Sequence, residues 1–417
     1  MSTLALHGGN PVRTKPFPRW PVFSRADVRA VARVIESGLW GRTTGKVVAK
    51  FEEAFAKFQG ARHGLAVVNG TTGLRLALIA AGIREGDEVI VPPYTFLASA
   101  TAVVESNAVP VFVDIDPETY NLDPRLIEAA ITPRTRAIMP VHFAGRACDM
   151  ERILAIARKH NLKVIEDACH GWGGRWKDKG LGCIGDLGVF SFQSSKNLTA
   201  GEGGFITTQD ADLLETVVSL HNCGRLRPRP GASVAASAWY EHHLLGGNHR
   251  MTEMQGALLL SQLKRLPKQI ATREANARYL DRELAKIPGI RPMRRDAFVT
   301  RDSCHLYLFR YDPAGFAGKP RERFIAAMQA EGIPVSPGYP LPLYKQPVFL
   351  QKQFGPYTGW THSRPDLDYG KVRCPACEKA CASEGLWLSQ SLLLGSRRDM
   401  EDVVEAVAKV QRHATKM

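Results

Sequence analysis

Between about residues 60 and 210, short runs of apolar and β-branched residues alternate with stretches whose apolar positions recur every three or four residues. Leu65–Val68, Glu88–Val91, Val109–Asp114, Arg136–Val141, Leu162–Glu166, Val189–Phe192 and Phe205–Thr208 read as strands. The segments from Thr71 to about Ala81, Leu97–Ser106 and Met150–His160 read as helices between them. A strand wetted on one face alternates apolar and polar residues; these runs are nearly continuous in apolar character, so both faces are covered. Strands of that kind alternating with helices predict an α/β fold with a mostly parallel sheet between helices.

After about residue 222 the pattern changes. A Pro- and Gly-containing segment, Arg227–Gly231, precedes a long helical pattern from Met251 to about Leu284, interrupted near Pro267. Strands at Leu306–Tyr311, Ile333–Ser336 and Leu386–Ser389, with helices at Arg321–Glu331 and Arg398–Arg412, suggest a smaller α+β unit. The expected division is an N-terminal arm over 1–25, a large α/β domain over 26–265 and a C-terminal α+β domain over 266–417. The stretch 337–374, rich in Pro, Tyr and Gln, is loop-like and long enough to serve as a functional cover.

A length of 417 residues suits two or three domains, and 44% hydrophobic with 23% charged residues excludes a disordered or fibrous chain. No run of 18 apolar residues and no apolar leader core is present, so the expected setting is cytoplasmic. The formal charge of +14 admits nucleic acid, yet it equally suits phosphorylated or carboxylate ligands. Basic residues are scattered, and the densest run, Arg225–Arg229, has no stacking aromatics, which makes nucleic acid an unlikely partner. Eight cysteines are too few for a disulfide scaffold in such a chain. Cys374, Cys377 and Cys381 resemble half a zinc site, with His362 the nearest fourth ligand, but their spacing also puts three thiols on one helix face as core residues. No metal is expected.

Two nucleotide motifs fail. Gly41–Lys46 is one residue short of a phosphate loop, with Val47 where Ser or Thr would hold magnesium; Trp176 and Ile206 stand where a dinucleotide motif ends in glycine. Asn69-Gly70-Thr71-Thr72 follows a strand and opens a helix, so its free amides form either an ordinary capped helix start or a phosphate cradle. Asp167 lies at the end of another strand, where α/β sheets gather ligands. Lys196 follows a buried strand inside a Ser- and Gly-rich turn, an unusual place for a lysine without a chemical task. A phosphate cradle, a carboxylate and a lysine are the groups that pyridoxal 5′-phosphate requires.

The motifs EDACH, FSFQSSKN and AGEGG, with GGNHRMTEMQGAL downstream, resemble the DegT-type sugar aminotransferases, fold type I enzymes using pyridoxal 5′-phosphate. The likeness runs from His7-Gly-Gly-Asn-Pro-Val to Leu393-Leu394-Gly395. LWGRTTGKVVAKFEEAF, NGTTGL and GLWLSQSLLLG look closest to the branch acting on cyclic ketones, with its scyllo-inosose aminotransferases and aminohydroxybenzoate synthases. The resemblance implies a seven-stranded-type sheet. It implies Lys196 as the lysine that joins the cofactor, Asp167 as the acid facing the ring nitrogen and His170 as a neighbour of the ring's 3-oxygen, although a structural histidine fits equally. It places Gly70, Thr71 and Ser191 on the phosphate and Phe96 on the ring, with Tyr94 able to share that role. Asn248 matches a residue reaching the phosphate from a neighbouring subunit, implying a homodimer with shared active sites. Arg42, Arg250, His305 and Tyr344 are candidate substrate contacts, with surface or interface roles as the alternative. His249 and Cys223-Gly224 depart from the family's tyrosine and histidine–glycine pair, leaving the substrate pocket open. The expected activity is ping-pong transfer of an amino group from glutamate or glutamine to an inosose or keto-sugar. The alternatives are a dehydratase or aromatising enzyme of the same family and a non-catalytic regulator.

Overall fold

The computed structural model describes residues 3–226, 241–357, 364 and 366–417. Arg227–Gly231 and His362 lie outside the described residues, and with them the fourth thiol-site ligand considered above. The first half supplies strands β1 (His63–Val67), β2 (Glu88–Val91), β3 (Val109–Phe112), β4 (Thr135–Ile138), β5 (Lys163–Asp167), β6 (Arg175–Trp176), β7 (Lys179–Gly180), β8 (Leu187–Ser191) and β9 (Gly204–Thr208). All but β6 and β7 join one sheet in the order β1-β9-β8-β5-β4-β2-β3, in which β9 alone runs antiparallel to its neighbours. The seven strands expected from the hydrophobic pattern are these seven, with ends displaced by no more than three residues.

Helices Gly70–Ala80, Ala98–Glu105 and Met150–Lys159 connect the strands. Helices Arg25–Ser37 and Val47–Gln59, which the strand–helix alternation does not include, precede them. Alternation within β8 shows how the sheet is built. Phe190 and Phe192 point to one face, where they meet Phe51 and Phe55 edge-on at 5.2–5.4 Å and Phe192 meets Phe205 at 6.4 Å, while Val189 faces the opposite core and Ser191 the cavity described below. Edge-to-face rings contribute about 0.5–1.5 kcal/mol per pair beyond the area they bury.

The C-terminal half adds β10 (Ile290–Pro292), β11 (Val299–Arg301), β12 (Leu306–Tyr311) and β13 (Gly385–Ser389), of which β10, β12 and β13 form a second, antiparallel sheet. Helices Arg321–Ala330 and Arg397–Arg412 share a core with it, and Leu4 of the N-terminal segment enters the same core. The helical pattern after Met251 breaks where expected: Glu253–Leu263 ends, and Leu266–Leu284 starts with Pro267 in its first turn, where a missing N–H costs nothing. Ile333–Ser336 is not a strand. Its apolar residues are buried beside β13, but only Ser336 pairs, with Trp387. Within 337–374, Tyr344, Phe349 and Tyr369 pack on Phe112 at the sheet's edge. Cys374, Cys377 and Cys381 are buried in that same apolar cluster.

The end of β5 is held from both faces. Glu166 is fully buried, accepts from Gly182, Ile184 and Gly185 amides at 2.8, 2.6 and 2.7 Å, and meets His142 Nε2 at 2.8 Å. It ties the β7–β8 turn to the strand whose next residue is Asp167. Glu166→Ala strands one buried and two part-buried amides and the buried His142, and the unfolding free energy is expected to fall by about 3–5 kcal/mol. Chemical denaturation at matched cofactor loading checks this, and an unshifted midpoint contradicts the account.

Candidate functional site

At the carboxyl ends of β1, β5 and β8 lies a cavity of about 510 Å³. Among its lining residues are Gly70, Thr71, Phe96, Asp167, His170, Ser191, Lys196 and His305, so eight of the residues singled out in the sequence converge here. A larger groove of about 730 Å³ lies between helices Arg25–Ser37 and Glu253–Leu263. Its one acid, Glu253, is spent on the Val47 and Val48 amides, so the chemistry belongs to the smaller cavity.

The cavity floor begins at the helix Gly70–Ala80. Asn69 caps it by accepting from the Thr72 amide at 2.8 Å, and Gly73 N–H bonds Asn69 O at 3.1 Å. That leaves the Gly70 and Thr71 amides without a partner among the described residues, at the positive end of the helix dipole. A Cβ on Gly70 would meet Cys169 Sγ and Ser191 Cβ at 3.0 Å; one on Gly204 would meet Asn69 backbone atoms at 2.4 Å. Both glycines are therefore steric requirements of the cradle. Ser191 is buried beside it.

Asp167 is 5% exposed. Its carboxylate accepts from Ser99 Oγ at 2.7 Å and from the Cys169 amide at 3.1 Å, and Ser99 in turn meets Thr95 Oγ1 at 3.0 Å. Among the described residues these partners are all neutral. A buried carboxylate with no counter-charge is costly unless a cation or a strong donor joins it.

Lys196 sits in a loop clamped from two directions. Trp20 Nε1 donates to Ser194 O at 2.9 Å, and Gln390 Nε2 donates to Ser195 O at 3.3 Å. Arg273, fully buried, holds Gln390 through its side-chain oxygen at 2.6 Å. Burial pushes the Lys196 ammonium below the ordinary lysine range, against the opposing pull of Cys169 and Asp167. His170 and His305 are buried against each other with ring centroids 4.2 Å apart, and burial together with the nearby Lys196 lowers both well below the usual histidine range.

Other expected residues lie elsewhere. Phe96 is 61% exposed at the cavity wall, whereas Tyr94 is buried among Tyr120, Phe143 and Tyr339 and does not line the cavity. Tyr344 is fully buried and donates to Glu378 at 2.6 Å. Arg42 pairs with Glu52 at 2.6 Å, and Arg250 Nη1 donates to Asn222 at 2.7 Å. Neither they nor Asn248, whose backbone bridges Asn222, line the cavity of their own chain. Sequence reading missed Thr95, Ser99, Asn197, Tyr339 and Trp387. Thr95 and Ser99 stand four residues apart next to a helix start, a spacing that could have paired them. Tyr339 and Trp387 come from the C-terminal half and carry no local signal.

The model of the DegT/DnrJ/EryC1/StrS aminotransferase family matches residues 23–364. The chain is 37% identical to the L-glutamine:2-deoxy-scyllo-inosose aminotransferase of Streptomyces fradiae over 99% of this chain and 98% of that protein. It is 36% identical to the 3-amino-5-hydroxybenzoate synthase of Amycolatopsis mediterranei, over 96% and 98% respectively. An aminotransferase structure from Psychrobacter cryohalolentis superposes with a TM-score of 0.86 at 32% identity, covering 96% of this chain and all of the other. No helix among the described residues is long and apolar enough to cross a membrane. With that family model matching most of the chain and relatives matching it over nearly their full length, the chain belongs to the DegT/DnrJ/EryC1/StrS aminotransferase family.

Proposed function

We propose that this protein is a pyridoxal-phosphate-dependent aminotransferase that moves the amino group of L-glutamine to a cyclic ketone of the inosose type. The observation that carries the reading is the convergence of Lys196, Asp167 and the free Gly70 and Thr71 amides on one cavity. The near full-length likeness to aminotransferases named for L-glutamine and 2-deoxy-scyllo-inosose supports the donor and the acceptor class.

The cavity suits the cofactor in each of its parts. The Gly70 and Thr71 amides with the Ser191 hydroxyl would hold its phosphate, because a helix start offers unpaired donors to an anion. Asp167, oriented by Ser99, would hold a proton on the ring nitrogen, which would add a directly bonded cation to its neutral hydrogen-bond partners. Phe96 and His170 would bear on the ring. When bound, pyridoxal phosphate supplies an aldehyde to receive the amino group and an electron-withdrawing ring. Lys196 would hold that aldehyde carbon, and as a free amine it would carry the proton to and from the donor's α-carbon. Burial favours the neutral amine that this second task needs. Tyr339 and Trp387, from the C-terminal half, close the cavity wall and limit water.

The protein is read as a cytoplasmic homodimer. An exposed Phe96 at the cavity wall, and Asn248 outside its own chain's cavity, support a second subunit completing each site. An aromatising enzyme is the second reading, favoured by the likeness to 3-amino-5-hydroxybenzoate synthase.

The test is product formation. Incubated with L-glutamine and a panel of inososes and nucleotide-linked keto-sugars, the enzyme should form an amino product with ping-pong kinetics. An aromatic product selects the second reading, and no turnover of any ketone rejects the first. Borohydride should fix the cofactor to the peptide carrying Lys196; Lys196→Ala should lose that label and about 10²–10⁴-fold or more of the rate.

Lys196 also makes stability depend on pH. Its folded pKa lies below the ordinary lysine value of 10.5, so between the two the unfolded chain binds more protons and stability rises with pH. In cofactor-free protein, Lys196→Met should be more stable than wild type near pH 7, with an advantage that shrinks as the pH approaches about 10. Thermal unfolding at several pH values measures this, and a gap that stays constant or widens contradicts it.

A further inference from the structure

His170 and His305 have their tautomers set in opposite senses, the first by a backbone amide and the second by the side chain of Asn197. Ala144 adopts a left-handed conformation, φ 58° and ψ 3°, which costs an L-residue about 1–2 kcal/mol. In that conformation its N–H donates to His170 Nδ1 at 3.2 Å while its carbonyl accepts from the His305 amide at 2.7 Å. One strained residue thus bonds the His170 ring on one side and the His305 backbone on the other. Nδ1 of His170 is an acceptor, so the single proton of the neutral ring sits on Nε2.

The opposite holds at His305. Asn197, the residue after Lys196, commits its amide nitrogen to Ser303 O at 2.9 Å. Its oxygen therefore faces His305 Nδ1 at 3.0 Å, and Nδ1 must donate. Nε2 of His305 is left as a bare lone pair. Burial and the nearby Lys196 and Arg273 keep this ring uncharged, so the lone pair persists at neutral pH. Both rings line the cavity, and neither Nε2 has a partner among the described residues.

Resting on the reading of the protein as a cyclic-ketone aminotransferase, we infer that His305 is a specificity-determining residue whose Nε2 accepts a hydrogen bond from a ring hydroxyl of the ketone substrate. The cavity then offers a donor on His170 and an acceptor on His305 with ring centroids 4.2 Å apart. A bare cyclic ketone can use only the donor. It leaves the buried acceptor unpaired, at a cost of about 1–3 kcal/mol, whereas a polyhydroxylated ring satisfies both. Recognition of a hydroxyl that an inosose-type ring carries thereby falls to one named residue.

Two measurements test it. Nitrogen NMR of the histidine-labelled holoenzyme should show His305 protonated on Nδ1 and His170 on Nε2; the same tautomer in both, or a charged His305 at neutral pH, overturns the inference without touching the functional reading. Turnover is then compared between a polyhydroxylated cyclohexanone and its deoxy analogues. Wild type should prefer the hydroxylated ring, and His305→Phe should reduce the ratio of kcat/KM values by about tenfold or more at one or more ring positions. His305→Gln, whose amide oxygen can accept the same hydroxyl, should recover part of the ratio. Loss of overall rate with an unchanged ratio assigns His305 a structural role and rejects the proposal. Failure of wild type to act on any cyclic ketone rejects the functional reading and this role with it.

Discussion

The parallel register of β5 beside β8, with Ile165 against Leu187 and Asp167 against Val189, sets the floor of the cavity. It puts Asp167 in one layer with Ser191, two residues beyond Val189, and next to the helix start at Gly70 that packs on Ser191. A slip of one residue would turn Asp167 into the core and Glu166 into the cavity, because side chains alternate along a strand. Glu166, anchored to three amides of the following turn, opposes that slip. The same alternation aims Phe190 and Phe192 into the aromatic core and Ser191 away from it.

The electrostatics of the cavity follow from this burial. Two histidines and a lysine that would be wholly or partly cationic in water are pushed toward their neutral forms, and each then has a lone pair or an N–H available for proton or hydrogen-bond exchange. Asp167 pulls on the Lys196 charge, but among the described residues its own hydrogen-bond donors are neutral. The site is therefore short of positive charge on the acid and short of an anion at the helix start, and one ligand carrying a cationic ring and a phosphate answers both deficits. Support for the lysine loop comes from far away in the chain: Trp20 and, through Gln390, Arg273 grip Ser194 and Ser195.

The sheet was legible because its strands are buried on both faces and need unbroken apolar runs, a signal carried within five residues. The helix start at Asn69 and the position of Lys196 on the cavity were legible because a capped helix start and a lysine in a Gly-rich turn after a buried strand are local features. The expected strand at Ile333–Ser336 misled for a related reason: burial selects apolar residues whether or not their backbone pairs, and only Ser336 does. Tyr344 misled as well, since an aromatic hydroxyl in a loop looks the same whether it meets a substrate or, as here, Glu378.

By itself, the amino-acid sequence determined the seven strands of the main sheet, the break between the two helices after Met251 and the presence of a lysine, an acid and a capped helix start at strand ends, all of which depend on neighbours within a turn or a strand. Only the tertiary structure decided which neutral groups hold Asp167, that Arg42, Arg250, Asn248 and Tyr344 stand outside their own cavity, and that the two histidines carry opposite tautomers. Those outcomes depend on hydrogen bonds between residues such as Ser99 and Asp167, or Asn197 and His305, that lie 68 and 108 positions apart. No local pattern encodes them, because a hydrogen bond is set by where the chain returns in space.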